Sequence, residues 1–509
     1  MWYNPKWMRT EQTRCDRQEK QDATGGKKTM YFPFFDTFAC DDLTNARLTV
    51  GPVRKENLPL MTEGYTSTPQ VRWEQRIDNG YPNVFYDEEY GLYRCYYTCC
   101  ILDDNSTPYT LQERVGRKYT IGENSRRRIA GVLYAESKDG VHWSRPALGN
   151  VAFEGSRENN ILLWDAHGAS VFKDMHETDP ARRYKMMVRH DAKNQMAVSF
   201  SADGLHFCEP IPWPEYNPAG DTHNFAFFDE RLGRYVLITR TWDGLRVVAR
   251  SESDDFIHWS EPVNIYRGEG FDDQIYAMPV FRYEDLYVGL PAIFHGGDRS
   301  LPDFDCVDCE MTFSHDGVQW ERVAPGTPFI PRGAGRYGDG VPDCGCIYPS
   351  APVQEGDDLV FYYMGGSGQH TNFRESTLMR CRVNRRFLAG YVQRDESAPG
   401  QIATFCPRFG GGEVRLAAQV AAGGRVEYAL CHARRGFYGE LKEIPGFGFA
   451  DCVPVTESGV TALTFREKTL ADAPKAERGK CCPVLVFRFS GAAVYGLEGD
   501  LDRAFRPRR

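Results

Sequence analysis

The 509-residue sequence lacks any apolar run of about 20 residues, the length that a membrane-spanning helix needs. It has no basic stripe, and its formal net charge of −9 argues against nucleic acid as a partner. Helical heptads are not evident, whereas Gly (49) and Pro (30) are frequent throughout. Residues 1–22 are polar and lack the apolar core of a secretory signal, so we expect a polar N-terminal arm over residues 1–30. These absences predict a protein without membrane or nucleic-acid partners.

Cysteine is abundant, with sixteen residues in a sequence that shows no signal peptide. This combination predicts free thiols and a cytoplasmic location. Cys306 with Cys309 and Cys344 with Cys346 could together supply four thiolates to zinc. However, Cys306 and Cys309 lie where a strand should run, and cysteine also serves as a small buried apolar residue. We therefore predict no metal site at these cysteines.

A seven-residue motif, Ser-x-Asp with an aromatic residue four positions after the Asp, occurs four times, starting at Ser137, Ser201, Ser253 and Ser314. The copies are about 50–65 residues apart, which indicates a repeat architecture. Gly follows the Asp in three copies, as a tight hairpin turn between two strands favours. Each motif is preceded by an apolar strand with an acidic turn and by a strand with a tyrosine. Each unit is therefore predicted to be a four-stranded antiparallel sheet.

A fifth unit lacks the motif but keeps the strand pattern over residues 350–383. Five such sheets around an axis make a five-bladed β-propeller, which we place at residues 31–395. Since no Pro/Gly/Ser linker separates the units, a row of independent sandwiches is disfavoured. Residues 396–509 alternate apolar and polar side chains around a predicted hairpin turn at Gly423-Gly424. We predict a β-sandwich accessory domain there that stabilises the propeller, with sugar binding as the alternative role.

Every predicted blade carries at least one acid just before its innermost strand, at the end where the loops form a funnel around the axis. These acids are Glu74, Asp78, Asp165, Asp221, Asp273, Asp339 and Asp343. Glycosidic bond cleavage needs two carboxyl groups: one protonates the leaving oxygen, and the other is the nucleophile or activates water. Crowding raises the pKa of some of these acids, so that one stays protonated near neutral pH.

From this pattern we predict a glycoside hydrolase that removes the non-reducing-end sugar of an oligosaccharide. Asp221 and Glu74 are the predicted principal catalytic pair, with Asp165, Asp273 and Asp343 as further catalytic residues. The predicted substrate-binding residues are Trp73, Asp78, His167, His223, Arg240, Tyr276, His295, Asp339 and His370. No cofactor is predicted, and a divalent cation held at the axis by His and carboxylates is the alternative.

The fivefold repeat with Ser-x-Asp-Gly-x-x-Trp hairpins resembles the five-bladed propeller glycoside hydrolases of families 32, 43 and 68. The hairpin motif is also similar to the Asp-box of sialidases, which have six blades. In the tail, Pro445-Gly446-Phe447, Asp451-Cys452 and Ala493-Val494-Tyr495 look like the C-terminal sandwich of uncharacterised bacterial propeller proteins. The resemblance implies the fold and a glycoside as the substrate class.

The carboxylate pattern departs from these families. Family 43 has an Asp, an Asp and a Glu in blades one to three, where this sequence offers Glu74 or Asp78, Asp165, and Asp221. The nucleophile motif of family 32 is absent. The sequence thus leaves open the sugar, the linkage, the stereochemical outcome and whether the protein is a homo-oligomer.

Two other functions fit the sequence. A non-catalytic carbohydrate-binding propeller would keep the aromatic residues without needing a paired acid. A glycoside phosphorylase would need a basic cluster for phosphate beside the carboxylates, for which Arg240, His295 and His370 are candidates.

Overall fold

The computed structural model describes residues 30–38, 40–119, 127–404, 407–432, 441–474 and 483–503. The described chain is built of strands, with a short α-helix at Leu111–Arg114 and 3-10 turns at Gly64–Thr66, Pro180–Arg182, Arg385–Phe387 and Leu470–Asp472. No helix in these ranges is long and apolar enough to cross a membrane. The predicted all-β fold class is confirmed, while residues 1–29 of the predicted arm lie outside the described ranges.

The chain divides into two compact units, Leu48–Gly390 in one and Met1–Arg47 with Tyr391–Arg509 in the other. The first unit contains five antiparallel blades in chain order. From inner to outer, the strands of blade one are Asn83–Asp87, Leu92–Asp103, Arg128–Ser137 and Ile161–Trp164. Those of blade two are Ala166–Lys173, Tyr184–His190, Gln195–Ser201 and Ile211–Pro212. Those of blade three are Phe225–Asp229, Arg234–Trp242, Arg246–Ser253 and Val263–Tyr266. In blade one, Trp143–Ser144 also pairs with the third strand.

Three strands of blade four are each interrupted midway, twice beside a proline. The first strand consists of Gln274–Ala277 and Val280–Tyr283, the second of Leu286–Gly289 and Ala292–Phe294, and the third of Val307–Cys309 and Thr312–Ser314. The fourth strand is Glu321–Arg322. Pro279 and Pro291 fall in two of the interruptions, because proline cannot donate a ladder hydrogen bond.

The fifth blade closes the ring with strands from the start of the unit. Its own strands are Cys346–Pro349, Val353–Glu355, Asp358–Gly366 and Ser376–Asn384. Arg54–Lys55 and Met61–Thr62, which precede blade one, pair with Ser376–Asn384 and complete this sheet. Val84 N of blade one also donates to Ser350 Oγ (3.1 Å). The first and last blades are therefore held together by backbone and side-chain hydrogen bonds.

The repeated motif forms the same turn in all four copies. Gly140 N donates to Ser137 Oγ (2.9 Å), and Asp139 Oδ1 accepts from the backbone N–H groups of Val141 and His142, each at 2.8 Å. The other copies repeat these bonds. Phe256 takes the glycine position in the third copy at a φ of +67°. The side-chain bonds of the Ser and Asp thus define the turn, with or without glycine.

Tyrosines on the second strands join neighbouring blades. Each donates its hydroxyl to a buried carboxylate in the acidic turn of the preceding blade. The pairs are Tyr184 with Asp87 (2.5 Å), Tyr235 with Asp174 (2.7 Å) and Tyr287 with Asp229. The acidic turns therefore serve blade packing, at the end of the strands opposite to the predicted site.

The second unit is organised by one large sheet. Its strands are Met30–Pro33, Cys40–Thr44, Gly400–Thr404, Pro407–His432, Lys442–Glu443, Gly459–Ala462 and Pro483–Arg503, with a small sheet of Thr464–Phe465 and Lys468–Thr469. Ala46–Val50 and Ala389–Gln393 span the division between the units.

The predicted hairpin turn at Gly423-Gly424 is wrong. Pro407–His432 is one strand that pairs with Pro483–Arg503 on both sides of the two glycines, with a shift of register beside them. A Cβ on Gly424 would lie 2.3 Å from Gly491 O. The glycines therefore permit a bulge where two backbones approach closely, rather than a chain reversal.

The start of the chain also differs from the prediction, which began the propeller at residue 31. Met30–Pro33 pairs with Pro483–Arg503, and residues up to Arg47 belong to the second unit. Phe34 is fully buried, with its ring 5.3 Å from that of Phe487. Apolar burial thus places this segment with the second unit.

Candidate active site

The segments that precede the inner strands meet at one end of the propeller. Asn83 Nδ2 donates to Ala169 O (2.8 Å), which joins blades one and two, and Thr222 Oγ1 donates to Tyr276 O (2.6 Å), which joins blades three and four. At this end lies a group that we call the axial cluster, which consists of Asp165, His167, Asp191, Asp221 and Arg240.

Gly168 allows blades two and three to approach closely next to the cluster. It has a φ of +63°, and a Cβ at this position would lie 1.9 Å from Thr222 O. Only glycine fits here without a shift of backbone. This contact sets His167 beside Asp221.

Asp221 is the most accessible acid of the cluster, with 63% of its side chain exposed. His167 Nε2 lies 3.2 Å from Asp221 Oδ1, and Arg240 Nη2 lies 3.1 Å from Oδ2. Burial would raise the pKa of Asp221, but the contact with His167 and the charge of Arg240 lower it to about 2. Asp221 is therefore a charged, accessible carboxylate at neutral pH.

His167 is held between two carboxylates, since its Nδ1 also lies 2.7 Å from Asp191 Oδ2. Burial works against the charged ring, yet Asp191 and Asp221 raise the pKa of His167 to about 9. The imidazole is therefore protonated at neutral pH, and it fixes the carboxylate of Asp221 in position.

Asp165 precedes the inner strand of blade two and is half-buried, at a φ of +56°. Burial and the charge of Asp191 raise its pKa. No described residue donates a hydrogen bond to its carboxyl group. The pKa of Asp165 is thus shifted in the direction opposite to that of Asp221.

Aromatic and imidazole rings lie against the cluster. The guanidinium of Arg240 lies 4.8 Å from the ring of Tyr276, and the rings of Tyr276 and His370 are 4.7 Å apart. Tyr348 shares a hydrogen bond with His370 Nδ1 (2.8 Å). Burial and the charge of Arg374 lower the pKa of His370, so that this imidazole is neutral. Tyr276 and His370, both predicted from the sequence, are therefore placed near Arg240.

Sequence reasoning missed most of the arginines at this end of the axis. Asp78 carries ion pairs from Arg374 (2.7 Å), Arg128 (2.8 Å) and Arg76 (3.3 Å). Although burial opposes it, Arg374 and Arg128 lower the pKa of Asp78. Arg76 lies in the same pre-strand segment as Asp78, which was a usable signal, whereas Arg374 comes from a distant part of the sequence.

Three predicted catalytic acids have separate ion-pair partners. Glu74 is fully buried and accepts hydrogen bonds from the Tyr97 hydroxyl, Arg145 Nε (2.7 Å) and Gly64 N (3.0 Å). Asp273 forms an ion pair with Arg322 (2.6 Å), and Asp343 forms one with Lys55 (2.5 Å). None of these contacts is with a residue of the axial cluster. The structure thus does not bring Glu74 together with Asp221, because Arg145 and Tyr97 hold Glu74 within blade one.

Four predicted binding residues also make contacts outside the axial cluster. Trp73 Nε1 donates to Asn160 (2.6 Å), Asp339 accepts from Arg336 N (2.9 Å), His295 pairs with Asp308 (2.9 Å), and His223 Nε2 donates to Asn83 (3.1 Å). Burial lowers the pKa of His223 to about 3, so this ring is a neutral part of the packing between blades.

The described residues contain no group of three His, Cys, Asp or Glu side chains placed to hold a metal ion. Cys306, Cys309, Cys344 and Cys346 are all buried free thiols. Burial raises the pKa of Cys306 to about 11 and that of Cys346 to about 12, which disfavours the thiolate that zinc needs.

No family model and no curated protein matches the chain. It is similar in structure to five-bladed β-propeller glycoside hydrolases and phosphorylases. One is a β-1,2-mannobiose phosphorylase from Listeria innocua (14% identity, 65% of this chain and 96% of that chain covered, TM-score 0.44). Another is a fructofuranosidase from Schwanniomyces occidentalis (13% identity, 87% of this chain and 100% of that chain covered, TM-score 0.39). An N-acetylgalactosamine deacetylase from F. plautii is similar as well (16% identity, 67% of this chain and 97% of that chain covered, TM-score 0.42). At such low identities and TM-scores, none of these likenesses assigns a reaction to this chain.

Proposed function

We propose that the protein hydrolyses a glycosidic bond, with Asp221 as the charged carboxylate and Asp165 as the acid. The observation that supports this is the opposite direction of their pKa shifts: the pKa of Asp221 is lowered to about 2, and that of Asp165 is raised. Asp191 links the two, because it raises the pKa of Asp165 and pairs with His167, which contacts Asp221. Such a pair provides both forms of carboxyl group that glycoside cleavage needs.

Each neighbour has a distinct role in this proposal. Asp165 donates its proton to the leaving oxygen, and Asp221 acts as nucleophile or activates water. His167 and Arg240 keep Asp221 charged and fix its orientation, since each contacts a different carboxylate oxygen. Tyr276 is buried and supports Arg240 from below its guanidinium, while His370 offers a neutral hydrogen-bonding group to the sugar.

We further propose that the protein works in the cytoplasm. All twelve cysteines in the described ranges are unpaired, and ten of them are buried. Free thiols of this kind are typical of a reducing compartment.

The test is hydrolysis of a panel of nitrophenyl glycosides and short oligosaccharides, with and without phosphate. We expect Asp221→Asn to lower kcat/KM by at least about 1,000-fold, because an amide cannot act as nucleophile or base. Asp165→Asn should slow substrates with a poor leaving group most, since they depend on proton donation.

Asp243→Asn is the matched control, because Asp243 is equally exposed (63%) and also pairs with an arginine, Arg267 (2.6 Å). It should keep wild-type activity. Equal loss in Asp243→Asn and Asp221→Asn, or full activity of Asp221→Asn, would contradict the proposal. Turnover that requires phosphate would instead identify a phosphorylase.

A further inference from the structure

Arg246 lies next to the axial cluster without a carboxylate partner in the described part of the chain. Its Nη1 donates to the uncharged Gln274 Oε1 (2.9 Å), and its Nε is buried with no hydrogen-bond partner among the described residues. Burial and the neighbouring Arg240 lower its pKa, but a guanidinium stays protonated in proteins. A half-buried positive charge is therefore left without an ion-pair partner among the described residues, and Asp221 acts on it only from a greater distance.

Arg240 lies beside Arg246 and also has unused donors. The guanidinium of Arg240 lies 5.3 Å from the ring of Trp242 and 4.8 Å from that of Tyr276. The guanidinium of Arg246 lies 4.8 Å from the ring of Trp242 and 5.2 Å from that of Tyr276. Arg240 Nε and Nη1 are buried and have no hydrogen-bond partner in the described chain, while Nη2 contacts Asp221 (3.1 Å). An anion placed beside both guanidinium groups would offset the repulsion between these two adjacent cations.

The other carboxyl groups nearby do not provide that anion. Asp78 is already shared by three arginines, Arg374 among them. Asp305 accepts from Thr371 Oγ1 (2.7 Å), and burial raises its pKa. Asp221 is already in contact with His167 and Arg240. A carboxylate in direct contact with Arg246 must therefore come from a ligand.

Trp242 adds a surface for a sugar ring. It contacts both guanidinium groups, yet 54% of it is exposed. A large flat ring of this kind offers apolar area to a ligand that packs on its face. A cation pair and an exposed indole thus lie together beside Asp221.

We propose that Arg246 and Arg240 bind the carboxylate of a uronic-acid residue whose ring packs on Trp242. This inference rests on the proposed function and narrows its substrate class to acidic sugars. The single negative charge of a uronate matches the one guanidinium that lacks a partner, and its planar carboxylate matches the guanidinium fork.

The experiment is calorimetric binding of methyl glucuronide and methyl galacturonide, compared with methyl glucoside, methyl galactoside and inorganic phosphate. For the full-length protein we expect at least one uronide to bind about 10-fold or more tightly than its neutral counterpart. Arg246→Gln should abolish this preference, and Arg246→Lys should restore part of it. The preference of the wild type should also weaken as salt concentration rises.

Arg267→Gln is the matched control, because it removes one positive charge from an exposed pair on the same blade and should keep the uronide preference. Equal affinity for uronides and neutral glycosides, or no binding of either, would overturn the inference. The inference would also be overturned if Arg246→Gln weakened the binding of phosphate but left the affinity for uronides unchanged. Because binding is measured without turnover, a uronide preference in a protein that cleaves nothing would refute only the proposed function.

Discussion

At the scale of single residues, the charge of Asp221 depends on neighbours from two other strands. His167 comes from the inner strand of blade two, and Arg240 from the second strand of blade three. Each contacts one carboxylate oxygen, so the pKa of Asp221 is low although the group is partly desolvated. The chemistry of this acid is therefore set by its surroundings.

His167→Asn tests that dependence. Asparagine can still bond Asp191 but has no charge and does not reach Asp221, so the pKa of Asp221 should rise from about 2 towards its ordinary value of 3.8. We expect the acid limb of the kcat/KM profile to move to higher pH, because Asp221 is then protonated earlier on acidification. His142→Asn is the control, since His142 makes the same contact with Asp139 (2.7 Å) in an exposed turn. An unchanged acid limb in His167→Asn would contradict this role.

The same residue makes stability depend on pH. The pKa of His167 is raised from 6.5 to about 9 in the folded state, so its contribution is fully present below about 6.5 and is lost as pH rises through about 9. The thermal midpoint of the wild type should therefore fall across this range by more than that of His167→Asn. Parallel pH dependences of the two proteins would show that the ion pair adds no stability.

At the scale of secondary-structure elements, neighbouring blades are joined by buried tyrosine–carboxylate bonds. Tyr235 and Asp174 are 7% and 1% exposed, and Asp174 also accepts from His176 N (2.9 Å) and lies 3.3 Å from Lys185 Nζ. A hydrogen bond to a buried charge contributes more than a neutral one. These bonds thus fix how one blade packs on the next.

Tyr235→Phe should lower the free energy of unfolding by about 1.5–3 kcal/mol, because Asp174 loses a donor while it stays buried. The measurement is the shift of the urea midpoint. Tyr216→Phe, at a tyrosine that is 38% exposed, should leave the midpoint nearly unchanged. Equal effects of the two substitutions would refute the role of this bond.

At the scale of the whole ring, closure depends on strands that precede blade one. Arg54–Lys55 pairs with blade five, and Lys55 Nζ lies 2.5 Å from Asp343 Oδ2 in a pair whose side chains are 11% and 3% exposed. Tyr363 donates to the same carboxylate (2.9 Å). Asp343 therefore contributes to ring closure through contacts away from the axial cluster.

Lys55→Met should cost about 3–5 kcal/mol of stability, because it leaves Asp343 charged and buried without its cation. Adding Asp343→Asn should recover part of that loss, since the buried charge is then gone. Unfolding of the two single variants and the double variant, treated as a double-mutant cycle, measures the coupling. Strictly additive effects would mean that the pair does not hold the ring together.

The sequence alone determined the features that short segments control. The Ser-x-Asp turns form within seven residues by bonds to their own backbone, so the motif predicted four of the blades, and the strand pattern predicted the fifth. The repeat also predicted which segments precede the inner strands, and hence Asp165, His167 and Asp221, while Arg240 was predicted from its place on a second strand. Local sequence could not show that the chain continues straight through Gly423-Gly424, since the bulge depends on a partner strand more than 50 residues away.

Tertiary structure decided which charges meet. Glu74 and Asp221 occupy similar places in the repeat, yet Arg145 and Tyr97 hold Glu74 within blade one, while His167 and Arg240 surround Asp221. Arg246 has no ion-pair partner among the described residues for the same reason, because no carboxylate in those ranges lies close enough to pair with it. Burial and ion pairing depend on distances between residues far apart in the chain. The repeat therefore fixes where a side chain enters the ring, and only the folded ring fixes its charge and its partner.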